Sequence, residues 1–543
     1  MRIFLKNSGK YSFVGFLIVF IAGTAFAQYE PLKELTGLTK GIIYVTEKLP
    51  TISKLEDLPL ADSVTQYGIT WKFDEPARIG QFINGDYYVV GPATVIDITP
   101  KPLIGREVPP EELDKIEIER VGVKLIRNGS MLNPPAKREM SYDSGIRNWF
   151  NPALVTNVPY RLKPSDSLVS TISMKKTEVV KRHLIKGASD GKPPFKRGEG
   201  DNSPIKYLAV LTCVSEPLPL DAFRPSYCDR TGKIYYARDL KRELLPNLAK
   251  VPSAPPSLDE WVRIFQRPWV DTGFFAFANP IANMPAYGRE VGRAVGSGAL
   301  MLMQDYKPEE KERLLINYVQ VGIDYWGAVK SGHPGWGAFG GHGSGRKINM
   351  VIAGILLGDK EMASPTKSFP DVKFQEDMQV IYDDGWTGAK VVYSGHRGSA
   401  DNKSRKSDIS PLDNSYEHLP PEQWAGMRGE SYRRCCTSVA WVGQALAICL
   451  LQAENYWNHD AFFDYVDRWM YEDDSKAVQT IKGARVKGQG GQDYSASWAR
   501  QGQAWGDESP ADRMVEEMWA KYRKTLKAPT DGWKITKSVA PQQ

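Results

Sequence analysis

From Gln66 the apolar residues fall on every second position. QYGITWKF, GQFINGDYYVVG and ATVIDI alternate apolar with polar and are rich in β-branched and aromatic side chains. That is the period of a strand with one buried face. Asn84-Gly85 lies between two such runs, and this dipeptide favours the positive backbone angles of a tight hairpin. KIEIERVGVKLI, SLVSTISM and IKYLAVLTCV carry the pattern to Val214, and Gly and Pro punctuate the gaps. Short strands without intervening helices predict an antiparallel β-sandwich over 66–246, preceded by a lead-in segment over 28–65. His183 to Pro204 is polar and rich in Gly and Pro, the composition of a long surface loop.

Leu245 to Pro256 is a proline-spaced joint, and beyond it the period becomes helical. Ser257-Leu258-Asp259-Glu260 fits a capping box. Tyr287 to Gln304 has small residues along one side, as closely packed helices require. Pro308 stands where a first-turn proline belongs, ahead of Leu315, Tyr318, Val319, Gly322 and Trp326 on one face. Cys436 to Ala453 reads as an apolar helix. Asn458 reads as the cap of another, with Phe462, Val466 and Trp469 or Met470 inside. Paired helices joined by loops predict an α-helical hairpin toroid over 257–526 and a C-terminal tail over 527–543. Arg397–Glu430 and Ile481–Ser509 are long polar insertions, which in a compact domain are functional or disordered.

One stretch interrupts the helical pattern. From Gly332 to Gly345, seven of fourteen residues are glycine, and His333 and His342 are two of the chain's six histidines. Bare backbone of this kind suits a flexible connector, or a surface that something approaches closely. GHGSGRK is not a phosphate-binding loop, because Arg346 stands where the lysine is needed. The glycines at 341, 343 and 345 lack dinucleotide spacing, HExxH does not occur, and the GxSxG string Gly187–Gly191 falls in the polar His183–Pro204 loop rather than at a strand-to-helix elbow.

Charge and composition narrow the field further. Arg2, Lys6 and Lys10, an apolar run from Tyr11 to Phe26, and Ala25-Phe26-Ala27 make a secretory leader cut before Gln28. The expected mature chain is secreted or periplasmic, with no stable membrane insertion. The leader holds three basic and no acidic residues, so the formal charge falls from +6 to +3. A near-neutral body gives no case for nucleic-acid binding. With 15 Trp and 25 Tyr the chain is well supplied with rings that are flat on one face and polar at one tip, a chemistry that suits sugars. Of five cysteines, Cys213 and Cys228 could pair after export, whereas Cys435, Cys436 and Cys449 read as core.

Polar clusters sit at the ends of the predicted helices. Asn283, Tyr287 and Arg289 form one, and His342, Arg346 and Lys347 another. His396 lies beside Tyr393, Tyr432 beside Arg433 and Arg434, and His459 between Asn458 and Asp460. Tyr, His, Asn and Arg together suit β-elimination of a uronic-acid polysaccharide. Arg, Asn or protonated His neutralises the carboxylate beside the C5 proton, Tyr or His removes that proton, and Tyr protonates the leaving oxygen. The chain resembles the (α/α)-toroid polysaccharide lyases and the six-hairpin glycosidases in architecture, over about Ser257 to Leu526. The resemblance implies catalytic roles for Tyr287, His342, Asn283 and an arginine, Arg289 or Arg346. It implies substrate contacts from Arg346, Trp336, His396, Tyr432, Arg433 and His459. It calls for no cofactor and leaves a divalent metal open. A glycoside hydrolase would instead need two facing carboxylates, from Asp271, Glu290, Asp324, Asp384 and Asp460. A non-catalytic glycan-binding protein would use Trp326, Trp336 and Trp386 as stacking platforms.

Overall fold

The computed structural model describes residues 54–109, 125–175, 204–271, 281–285, 288–398, 415–426, 428–474 and 510–526. The leader, most of the lead-in, the run from Lys115 to Lys124, most of the His183–Pro204 loop, Tyr287, the Ile481–Ser509 insertion and the tail lie outside these residues. The chain is mixed, with a curled sheet in the N-terminal half and helices in the C-terminal half.

The main strands are β1 (Leu60–Gln66), β2 (Ile69–Gln81), β3 (Tyr87–Val90) and β4 (Ala93–Thr99). A side pair, β5 (Leu103–Ile104) with β6 (Ile126–Arg127), follows. Then come β7 (Ser130–Leu132), β8 (Tyr160–Leu162), β9 (Ser167–Ser173) and β10 (Ile205–Val214). Eight of them form one sheet in the order β7-β9-β10-β3-β2-β4-β8, with β1 also on β2. The Asn84-Gly85 hairpin joins β2 to β3, with Gly85 at φ 89°. QYGITWKF is not one strand: Tyr67 and Gly68 both adopt positive φ and turn β1 back on β2. The sheet also departs from a purely antiparallel one, because β10 runs parallel to β3.

The curl originates in β2. Ile69, Trp71 and Phe73 are buried on alternate positions, then Asp74, Glu75 and Pro76 are all exposed. Across from them, β1 offers one residue, Asp62, to the four from Phe73 to Pro76. This bulge bends the strand. Before the bend β2 pairs with β4, and after it with β3, so β3 and β4 follow one another along a single edge. The two wings close on a shared core of Trp71, Phe73, Ile98 and Leu162 against Val89, Leu168 and Leu211. Trp71 Nε1 spans the gap to Ser170 Oγ of β9 at 2.9 Å.

Among the described residues the seven longest helices of the C-terminal half are α1 (Asp259–Phe265), α2 (Gly288–Leu302), α3 (Pro308–Lys330), α4 (Arg346–Leu357), α5 (Ser438–Leu450), α6 (Asp460–Tyr471) and α7 (Pro510–Tyr522). Pro308 occupies the first turn of α3, as its fixed φ favours. The expected capping box does not form at α1: Leu258 is the N-cap and makes no side-chain cap, Ser257 Oγ accepts from Asp259 N, and Glu260 pairs with Arg263. Asn458 does not cap α6. It is the left-handed residue that ends Glu454–Trp457, and His459 precedes the helix.

Every residue of α2 is buried, so other elements surround this helix on all sides. It runs parallel to α5, and its glycines set the spacing. A Cβ on Gly296 would stand 2.8 Å from the backbone nitrogen of Gln444, and one on Gly292 3.2 Å from Ala440 Cβ. α3 turns back along α2, with Tyr318 donating to Val295 O, and α6 turns back along α5, with Tyr465 against Ser438. The first-turn ends of α2, α4 and α5 meet at the glycine stretch.

Arg224 joins the sheet to the helices. Its guanidinium donates to Asp86, in the β2–β3 turn, at 2.5 Å and to both oxygens of Asp324 on α3 at 2.9 and 2.5 Å. All three side chains are buried. One cation between two carboxylates leaves an excess negative charge in a desolvated place, and Asp86 is further held by Gln66 and Asn84. Burial therefore pushes the Asp324 carboxyl up to about 6, despite the Arg224 charge. A folded value above the unfolded one makes stability fall as pH rises from about 4 through 6. Asp324→Asn should thus gain on the wild type across that window, by an order of 2–3 kcal/mol. Urea denaturation at several pH values checks this, and a stability difference that does not vary with pH would sink it.

Candidate functional site

The glycine stretch is not a loose connector. Arg346, at the start of α4, donates to Asp271 Oδ2 at 2.6 Å and reaches back to the carbonyls of His342 and Ser344 at 2.9 and 2.6 Å. Glu376 Oε1 accepts from Gly345 N and Ser344 Oγ, and Gln375 accepts from Gly343 N. A carboxylate at the first turn of α4 complements the dipole of that helix. Lys347, fully buried, pairs with Asp377 at 2.5 Å. Two glycines are required by close approach. A Cβ on Gly288 would lie 2.0 Å from His342 O, and one on Gly340, at φ 58°, would strike the Tyr432 ring at 2.5 Å.

This framework presents a circuit of side chains closed through two backbone contacts. The Phe339 ring lies tilted 5.6 Å from His342 and 5.1 Å from His396, centre to centre, and Arg397 lies over its face at 5.6 Å. His396 packs 4.1 Å from Tyr432. Three residues on, the Cys435 carbonyl accepts from Arg289 Nη1 at 2.9 Å. Arg289 follows Gly288, which returns the circuit to His342. His342 and His396 are buried, Tyr432 and Cys435 half-buried, and Phe339 is exposed. Gln379 steadies one side, its Nε2 donating to His396 O at 2.7 Å and Gly340 O at 3.2 Å.

The circuit holds four residues singled out from sequence: His342, Arg289, His396 and Tyr432. Tyr287 lies outside the described residues. The remaining candidates lie elsewhere. Asn283 is buried, and its amide donates to the carbonyls of Ile264 and Arg267 at the end of α1. Arg346 and Trp336 are both buried on Asp271, whose backbone carbonyl accepts from Trp336 Nε1 at 2.8 Å. No face of Trp336 is open to a sugar. Arg433 is buried between Glu430 and the Trp469 ring. His459 bonds to Val380 O and lines a separate cavity of about 870 Å³ with Lys367, Asn455 and Asp460.

Three members escaped the sequence reading. Phe339 was hidden among glycines, and Arg397 at the edge of a polar insertion. The third is a disulfide between Cys435 and Cys436, neighbours in the chain. Their adjacency was the available signal, but the apolar pattern around them suggested core thiols. Cys213 and Cys228 do not pair: both are free, and they belong to different hydrophobic clusters.

Arg289 carries a counter-charge of its own: Glu290 is buried between Arg289 at 2.5 Å and Arg293 at 2.6 Å. Burial alone would raise its pKa, but Arg293 and Arg289 outweigh that and hold it below the ordinary carboxylate range. The arrangement brings two imidazoles and one guanidinium, that of Arg397, to the exposed Phe339 ring, with the Tyr432 phenol on His396 and the Arg289 guanidinium behind on Glu290 and the Cys435 carbonyl. These are group types that pair with anions and exchange protons.

No protein family, curated protein or solved structure matches this chain.

Proposed function

We propose that this protein is an exported, secreted or periplasmic enzyme that cleaves a uronic-acid-containing polysaccharide by β-elimination. The circuit of His342, Phe339, His396, Tyr432, Cys435 and Arg289 carries the reading. Arg289 and Arg397 offset the uronate charge, which acidifies the C5 proton. A neutral His342 takes that proton, and the electron pair moves to expel the glycosidic oxygen. Tyr432 then protonates the leaving oxygen. Phe339 offers an apolar face to the sugar. The steps are assigned to side chains alone, without a cofactor.

The hairpins α2/α3 and α5/α6, with α2 and α5 parallel, suit an α/α-toroid whose loops meet at one end. The two-winged sheet suits a sandwich-like accessory domain.

Two alternatives draw less support. A glycoside hydrolase needs a facing pair of carboxylates. Asp271, Glu290 and Asp324 are each locked to buried arginines, Asp384 pairs with Lys390 in solvent, and Asp460 lies by the other cavity. A purely glycan-binding protein needs open rings, yet Trp326 and Trp336 are buried and Trp386 alone of the three is half-exposed. The test is a panel of uronate polysaccharides. The expected product carries unsaturated ends that absorb in the ultraviolet. New reducing ends without that absorbance would mean hydrolysis, and binding without either product would mean a glycan-binding module.

A further inference from the structure

The Cys435–Cys436 bridge has no evident part in holding the molecule together. A disulfide stabilises chiefly by restricting the unfolded chain, and the effect grows with the length of the loop it closes. Here the sequence separation is 1, so the bridge closes only a small ring through one peptide bond. Its consequence is local.

What it constrains lies at the candidate site. The two cysteines fall inside Arg433–Thr437, a π-type turn that precedes the regular helix α5. Wide turns of this kind are frequent at functional sites, where they re-aim neighbouring side chains. Tyr432, immediately before the turn, packs on His396 and against Gly340. Thr437, at its end, donates to the carbonyls of Tyr432 and Arg433 at 3.0 and 3.3 Å. The Cys435 carbonyl holds Arg289. Any relaxation of this turn therefore moves both the phenol and the guanidinium of the circuit.

The bridge is reachable from one side: Cys435 is half-buried and Cys436 buried behind it, whereas Cys213, Cys228 and Cys449 are buried free thiols. Burial pushes the Cys213 thiol up to about 12 and raises Cys228 and Cys449 as well, which makes them inert at neutral pH. Exposed disulfides are the exchangeable ones.

We infer that Cys435–Cys436 is a thiol–disulfide exchange site that sets the geometry of the circuit, and that its reductant is a dithiol. A dithiol thiolate attacks Cys435 Sγ, forming a mixed disulfide and releasing Cys436 as the thiolate. The second dithiol sulfur then displaces Cys435. Two electrons and two protons pass to the protein, and the dithiol leaves as its own disulfide. With the small ring opened, the turn is free to tighten, and Tyr432 and Arg289 lose their register.

The test uses the intact protein and dithiothreitol, followed by alkylation under native conditions, peptide mapping and hydrogen exchange. Labelling is expected at Cys435 and Cys436 and not at the three buried cysteines. Exchange of the amides from 430 to 438 should accelerate about tenfold, and reoxidation should restore it. Cys435→Ser should show the fast exchange without reductant. Absence of label at the pair overturns the inference. So does a labelled, folded protein, or a folded Cys435→Ser variant, whose exchange over this segment equals that of the oxidised form. These readouts use no substrate, so they stand or fall separately from the proposed lyase chemistry.

Discussion

Arg224→Met should destabilise the protein by about 3–5 kcal/mol. The magnitude comes from what the substitution leaves behind rather than from the lost attraction. Asp86 and Asp324 are fully buried, and the guanidinium is the cation that answers both. Without it, Asp324 must take up a proton or let water in. The Arg224 backbone is held separately, its N–H donating to Gln320 Oε1 of α3 and its carbonyl accepting from Gln320 Nε2 at 3.1 and 3.0 Å, so the substitution leaves that contact in place. Methionine keeps the apolar stem and volume, so packing loss adds little. Denaturant unfolding should show a lower midpoint with an unchanged slope. Arg224→Lys should fall between the two, since one ammonium cannot fork to two carboxylates. A double variant, Arg224→Met with Asp324→Leu, should recover part of the loss, because it removes the orphaned charge as well. A loss below about 1 kcal/mol for the single variant would mean that the cluster is hydrated.

Local signals were legible in the sequence where the cause was local. Alternation marked β2, β4, β9 and β10, and Asn84-Gly85 marked the β2–β3 hairpin. Pro308 marked the start of α3, and small residues marked α2 as a helix that others approach closely. The bend in β2 was not legible, because Asp74-Glu75-Pro76 acquires its meaning only from the single residue opposite on β1. The Tyr67-Gly68 turn was missed because a tyrosine at positive φ is held by its neighbours, not by its own preference. Parallel pairing of β10 with β3 joins residues more than a hundred positions apart.

The candidate site shows the same division. Glycine content identified the stretch, and two of the histidines singled out within and after it, His342 and His396, meet at Phe339. Whether an arginine faces a cleft or a carboxylate depends on partners distant in sequence. Arg346 meets Asp271 across 75 positions, and Arg468 meets Glu417 across 51. Composition reads such arginines as available, and burial shows them engaged. The five carboxylates considered for hydrolysis read as open for the same reason, until three of them proved to be those partners.

His342→Gln and Tyr432→Phe should each lower turnover on a uronate polysaccharide by about 10²–10⁴. Both substitutions are chosen to spare the circuit. Glutamine retains a polar side chain of similar reach beside Phe339, and removes the imidazole as a base near neutral pH. Phenylalanine keeps the ring that packs on His396 and Gly340 and deletes the hydroxyl alone. The losses should appear in kcat with KM little changed, because neither group is asked to bind the ground state more tightly than the transition state. Arg289→Lys is expected to differ. A lysine still offsets the uronate charge but cannot hold both Glu290 and the Cys435 carbonyl, so KM should rise together with a fall in kcat. Unfolding midpoints measured alongside separate chemistry from collapse. If Tyr432→Phe turns over at the wild-type rate, the leaving-group proton comes from elsewhere. If His342→Gln does so too, the circuit is an architectural feature of the glycine stretch and the proposed elimination fails.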